Sequence, residues 1–172
     1  NINAKEYSLT ALRSYIGTVL QDVFLFSGSI YENISLKNPN ITKVQVIEAS
    51  KLVGAHNFIM ELPNNYDYNV MERGATLSVG QRQLIAFIRV LVYDPQILIL
   101  DEATSSVDTE SEILIQNAIQ KLVSGRTSFV IAHRLSTVQN ADKIMVLDKG
   151  EIKEIGTHNE LIQLENGYYK RL

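Results

Sequence analysis

Four aliphatic residues, Ile97-Leu98-Ile99-Leu100, run directly into Asp101 and Glu102, and a polar stretch ending in Asp108 follows. A short apolar run rich in β-branched residues reads as a buried strand. It delivers two carboxylates at its C-terminal tip, and in open α/β sheets ligands sit outside the carboxyl ends of the strands. One acid there says little, because acids often end strands and face water. Two in succession after four aliphatics, with a helix to follow, match what a nucleotide-hydrolysing site needs: one carboxylate for a metal and one for water.

The same kind of run recurs as IGTVL (16–20), SFVIA (128–132) and KIMVL (143–147), and all four are expected to be buried parallel strands. Ser111 to Val123 has helical spacing, with Ile113, Leu114, Ala118, Ile119 and Leu122 on one side and Ser124-Gly125 closing it. Strand, helix, strand alternation gives an α/β sheet. KGEI at 149–152 is a tight turn into an antiparallel ribbon, and THNELIQLENGYYKRL is expected to end the chain in an amphipathic helix capped by Thr157. From Asn38-Pro39 to about Pro95 the pattern is helical instead. Thr42 caps a helix over Lys43–Val53, Ala55–Glu61 makes a second, Pro63-Asn64-Asn65 breaks the chain, and a last helix runs from Ser78 to Val92.

Composition narrows the classes. A chain of 172 residues is long enough for one domain with a real core, or for a core plus a small lobe, and one compact unit is expected. The net charge of -3 and the scattered basic residues give no nucleic-acid footprint. Zero cysteines rule out disulfides and thiolate metal sites. The longest apolar run, LIAFIRVLV, has nine residues and includes Arg89, too short to span a bilayer. Asn33-Ile34-Ser35 and Asn40-Ile41-Thr42 match the glycosylation pattern, which arises by chance.

Four further segments carry chemistry-bearing residues. In LSVGQRQ (77–83), Ser78 supplies a hydroxyl and Gly80 lets backbone approach, at the N-terminus of a helix whose positive end suits an anion. An ordinary capped helix would look similar. His133 follows SFVIA and so belongs at a strand tip near Asp101 and Glu102, whereas His56 and His158 match nothing and read as structural. Gln21 ends the first strand, and Phe24-Leu25-Phe26 beyond it is awkward on a loop facing water. Ser105-Ser106-Val107-Asp108 reads as a polar helix start capped by a hydroxyl or carboxylate.

Taken together, LSVGQRQ, ILILDEATSSVD and VIAHRLST, in this order and spacing, resemble the ATPase domain of an ABC transporter of the exporter type. The resemblance implies a P-loop NTPase fold, with a RecA-like α/β core over residues 1–38 and 94–172 and an inserted helical subdomain over 39–93. It implies ATP and Mg²⁺ as ligands. Asp101 would orient Mg²⁺ through water, Glu102 would polarise the attacking water, and His133 would contact the γ-phosphate. Gln21 would reach both Mg²⁺ and that water. Leu77, Ser78, Val79, Gly80 and Gln81 form the signature segment, which contacts the γ-phosphate of ATP held by the opposite subunit of a head-to-tail dimer. Val79 stands where the usual LSGGQ form has glycine. Ser106 and Asp108 belong to the loop along the dimer interface. Gln21–Ser27 and Asn69–Gly74, the latter with Glu72 and Arg73, would face transmembrane helices, placing the chain on the cytoplasmic side of the cell membrane as a domain of a membrane protein.

None of the nine glycines is followed by Lys, so the chain holds no GxxxxGK[ST] phosphate loop. The expectation is therefore the C-terminal part of such a domain, truncated at its N-terminus and inactive alone. The strand missing from between the His133-bearing strand and KIMVL would leave free edges that invite rearrangement or self-association. Two other readings are a non-catalytic regulatory or dimerisation module and a soluble ABC ATPase without membrane spans. The exporter-like NVMERG segment and the lack of coiled-coil heptads disfavour the last.

Overall fold

The Ile97–Leu100 run forms the middle strand of a three-stranded parallel sheet. The computed structural model describes residues 3–101, 109–132 and 135–171, and the chain divides into two compact units between Ile131 and Ala132. In the first unit α1 (Leu9–Ser14) leads into β1 (Ile16–Val19), and β2 (Gly28–Ser29) into α2 (Ile30–Ser35). Then come α3 (Lys43–Leu52), α4 (His56–Glu61), β3 (Asn69–Val70), α5 (Val79–Tyr93), β4 (Ile97–Asp101), α6 (Thr109–Val123) and β5 (Thr127–Ile131). The sheet order is β1-β4-β5, with Val19 opposite Leu100 and Asp101 opposite Ile131.

Helix α5 organises the core. Ser78 caps it, and from Gln83 to Ile88 every side chain is buried, because α2, α3, α6 and β1 surround this stretch. Asp94 adopts a left-handed conformation (φ 43°) and Pro95 ends the helix. The glycine in IGTVL has its reason here. A Cβ on Gly17 would stand 2.5 Å from Pro95 Cγ and 3.5 Å from Val90 Cγ1, so Gly17 lets the end of α5 lie against β1. The helices expected over 43–53, 55–61 and 78–92 are present within a residue of their ends. Thr42 caps α3 in a reciprocal box with Gln45, and left-handed Asn64 and Asn65 make the break after Pro63.

Several expectations need correction. The strands are not buried on both faces. Leu98, Leu100 and Val19 join the core, but Phe129 is 61% and Ile131 53% exposed, on the face opposite that of Val130. On α6, Ile113 points to solvent and Ile115 takes the buried place with Ala118, Ile119 and Leu122, a cleaner i, i+3, i+4, i+7 stripe. Helix α2 was not expected at all, although Ser29 and Glu32 form a complete capping box at its start.

The second unit comprises α7 (Leu135–Val138), β6 (Ile144–Asp148), β7 (Glu151–Gly156) and α8 (His158–Ile162). KIMVL, expected in the parallel sheet, instead pairs antiparallel with β7 through the Lys149-Gly150 turn, both residues having positive φ. Its pleat explains why: Ile144 and Val146 pack with Leu161, Tyr169 and Val138, while Met145 and Leu147 face solvent. The C-terminal helix is short, ending at Ile162. Asn166 (φ 63°) and Gly167 turn the chain, and the Glu154 carboxylate then accepts the Tyr168 and Tyr169 N–H groups at 2.6 and 2.9 Å.

The Thr157 N–H and hydroxyl donate to Glu160 at 2.7 and 3.0 Å and hold its carboxyl below its ordinary value, with Lys143 adding to the effect. A depressed folded pKa stabilises above the unfolded value, and the contribution is lost as pH falls through the folded one. An NMR titration of Glu160 is expected to move up slightly in Thr157→Ala, which removes the hydroxyl but keeps the backbone N–H; an unchanged midpoint would show that the hydroxyl does not contribute.

Candidate functional site

Parallel pairing decides which sequence-expected site residues come together. Val19 lies opposite Leu100 and Asp101 opposite Ile131, so the C-terminal ends of all three strands lie at one edge of the sheet. Gln21, two residues past Val19, is exposed there, and Asp101, the last residue of β4, is partly buried. Adjacent strands lie roughly 4.8 Å apart, so the ends of β1 and β4 are neighbours at this end of the sheet. Glu102, Ser106 and Asp108, which follow Asp101 in the chain, and His133, which follows Ala132, fall outside the described residues.

The signature segment is a separate element, at the N-terminus of α5. Ser78 Oγ accepts the Gln81 N–H at 3.1 Å, and Gln81 Oε1 accepts the Ser78 N–H at 3.0 Å. The first intrahelical bond runs from Arg82 N–H to the Ser78 carbonyl at 3.0 Å. The Val79 and Gly80 N–H groups precede the helix ladder, at the end of α5 where the helix dipole is positive. Val79 is the first helical residue, is not left-handed, and exposes its side chain, so this position does not require glycine for its backbone. Leu77 and Gly80 are buried beneath the turn. Arg82 Nη1 donates to the Leu77 carbonyl at 2.6 Å and buttresses it.

The two segments expected to face a membrane partner are joined. Gly28 pairs with Val70 and Ser29 with Asn69, and the Ile30 N–H donates to the Tyr68 carbonyl at 3.1 Å. Phe24 (50% exposed) and Phe26 (57% exposed) meet edge to face with centroids 5.0 Å apart. Leu25 does not share that surface: it is fully buried, since successive residues of an extended loop face opposite ways. A Cβ on Gly74 (φ 68°) would stand 2.8 Å from Arg82 Cδ and 3.0 Å from Leu25 Cδ1, so Gly74 closes a junction between this loop and the signature helix. Arg73 is exposed with φ 57°. The sequence reading missed this ribbon, whose strands of two residues carry no periodic signal.

As to metal, Asp101 and Gln21 offer the oxygen donors that a hard cation such as Mg²⁺ takes, commonly one or two carboxylates completed by phosphate oxygens and water. Among the described residues no group of three or more His, Asp or Glu is placed to hold a metal by itself, and no helix is long and apolar enough to cross a membrane.

Comparison with known proteins shows the family and the fold. The family model described as ABC transporter matches residues 1–105. The "Probable multidrug resistance ABC transporter ATP-binding/permease protein YheH" of Bacillus subtilis (strain 168) is 54% identical over 159 residues, 92% of this chain and 24% of that protein. The "Leukotoxin translocation ATP-binding protein LktB" of Mannheimia glucosida is 56% identical over 161 residues, 94% of this chain and 23% of its own length. Among solved structures, a bacterial Atm1-family ABC exporter with ATP bound matches 98% of this chain and 29% of its own, with TM-score 0.87 and 39% identity. The chain thus spans about a quarter of the length of these relatives.

Proposed function

Because the chain belongs to the ABC transporter family, we propose that it supplies the water-activating and signature parts of ATP sites formed between two such domains, and so powers export across a membrane. The observation that carries this reading is the parallel register in which β1 and β4 finish together, Asp101 being the last residue of β4 and Gln21 following two residues after Val19. Glu102 acts as general base on the attacking water, with His133 toward the γ-phosphate. Asp101 and Gln21 hold Mg²⁺, which when bound neutralises phosphate charge.

The chain has no GxxxxGK[ST] loop, so the β- and γ-phosphates must be cradled by residues it does not contain. The Ser78 hydroxyl and the Val79 and Gly80 N–H groups serve the ATP held by the opposite domain, with Leu77 and Gln81 fixing the turn. Ser106 and Asp108 run along that interface. Residues 1–38 and 94–172 act as the catalytic core and 39–93 as the helical signature subdomain. Gln21–Ser27 and Asn69–Gly74 meet the transmembrane partner, which places the domain on the cytoplasmic side of the membrane.

Ser78→Asp tests the signature role in the full-length protein. Aspartate caps a helix as well as serine, so the melting temperature should hold, but its carboxylate faces a γ-phosphate instead of donating to it. Loss of a hydrogen bond to a charged group alone is worth roughly 1.5–3 kcal/mol, so hydrolysis and ATP-driven dimerisation are expected to fall at least about 10-fold. Unchanged dimerisation would refute the role.

A further inference from the structure

Asn33 and Arg89 belong to none of the ATP-site motifs above, yet they form a built connection. Asn33 is 1% exposed. Its Nδ2 donates to the Phe26 carbonyl at 2.9 Å and the Ser29 carbonyl at 3.0 Å, and its Oδ1 accepts the Phe26 N–H at 2.8 Å. Donating to and accepting from the same residue holds the Phe26 backbone as a neighbouring strand would. The Phe26 ring is left outside, against Phe24. A buried amide satisfied in this way specifies one arrangement, since any other leaves polar groups unpaired.

The main chain of Asn33 completes the link. Its carbonyl accepts Arg89 Nε at 2.9 Å, and one turn further along α5 the Tyr93 hydroxyl donates to the Ser35 carbonyl at 2.7 Å. Both acceptors lie in the last turn of α2, where carbonyls lack intrahelical partners, so α5 caps α2 from the side. Among the described residues Arg89 Nη2 is buried without a partner, and burial lowers the guanidinium's affinity for its proton. A largely buried cation with no carboxylate partner among the described residues is costly to maintain, and its one described bond is the one to Asn33.

We infer that Asn33 is a positioning residue that holds the Phe24–Phe26 loop in the form that docks on the transmembrane partner, and that Arg89 ties this loop to the helix carrying Ser78. The inference rests on the exporter reading for what the loop meets. With the loop pinned to α2 and α2 to α5, a displacement of the loop by its partner moves the signature turn instead of dissipating within the loop.

The chain has no cysteine, so a spin label on Phe24→Cys, in full-length protein freed of other cysteines, reports the loop directly. The label is expected to be immobile with Asn33 in place and mobile in Asn33→Ala. Full-length Asn33→Ala is expected to lower kcat for ATP about fivefold with KM within twofold. Adding it to a Phe24→Ala/Phe26→Ala double variant should lower kcat no further, because it acts through those rings. An immobile label in Asn33→Ala, an unchanged kcat, or a multiplicative loss in the triple variant would each overturn the inference. Arg89→Met, which fills similar space without charge, leaves the amide clamp intact. It should keep the label immobile yet lower kcat, and an unchanged kcat would overturn the tie to α5. If the unaltered protein does not hydrolyse ATP, the exporter reading fails, while the label still decides the role of Asn33.

Discussion

Replacing Glu102 with Gln is expected to slow ATP hydrolysis by the full-length protein about 10²–10⁴-fold, the usual worth of general-base catalysis, and to trap the ATP-bound dimer. Gln keeps the size of the side chain and its hydrogen bonding but does not accept a proton from water. Asp101, one residue earlier, ends the paired part of β4 opposite Ile131 and is assigned the metal, so the two acids are not interchangeable. Asp101→Asn should accordingly weaken the Mg²⁺ dependence, whereas Glu102→Gln should leave ATP binding intact. Phosphate release together with size-exclusion chromatography in ATP separates these outcomes. Hydrolysis near the unaltered rate in Glu102→Gln would remove Glu102 from the role of base.

Phe87→Ala carries the largest expected cost to stability. Phe87 is buried in the stretch of α5 enclosed by α2, α3, α6 and β1. Emptying such a position loses both the transfer free energy and the contacts lining the cavity, roughly 3–5 kcal/mol, out of a total that for domains is about 5–15 kcal/mol. In urea the midpoint should fall with little change in slope. Because α5 begins at the signature turn, looser packing at Phe87 should also weaken ATP-driven dimerisation. A loss below about 1 kcal/mol would mean that the core collapses around the gap.

What could be read from the residues depended on whether the signal was local. Helices α3 and α5 begin at Thr42 and Ser78, each followed three residues later by Gln, and such a reciprocal cap is visible in sequence. Strands β1, β4 and β5 stood out as short Ile- and Val-rich runs, and their shared edge follows from strand order. The Ser29 and Glu32 cap was equally visible, but the preceding aromatics drew the segment toward a loop, and α2 went unseen. Which face of β5 or β6 is covered is a tertiary fact, so Phe129 and Leu147 read as core and proved exposed. Leu25 erred the other way, looking like a member of an exposed trio until Gly74 and Arg82 were found beside it. Asn33 matched only a sugar-attachment pattern. Its clamp on Phe26 depends on a turn geometry that seven residues of separation do not disclose.

The central claim is that this chain carries the water-activating and signature parts of an ATP site and relies on a phosphate cradle supplied from elsewhere. Calorimetric titration of the 172-residue chain with MgATP tests it directly. No saturable binding is expected up to millimolar nucleotide, since the backbone nest and lysine that hold the phosphates in such sites are lacking. Saturable binding at micromolar MgATP would contradict the claim and place a complete phosphate site within these residues.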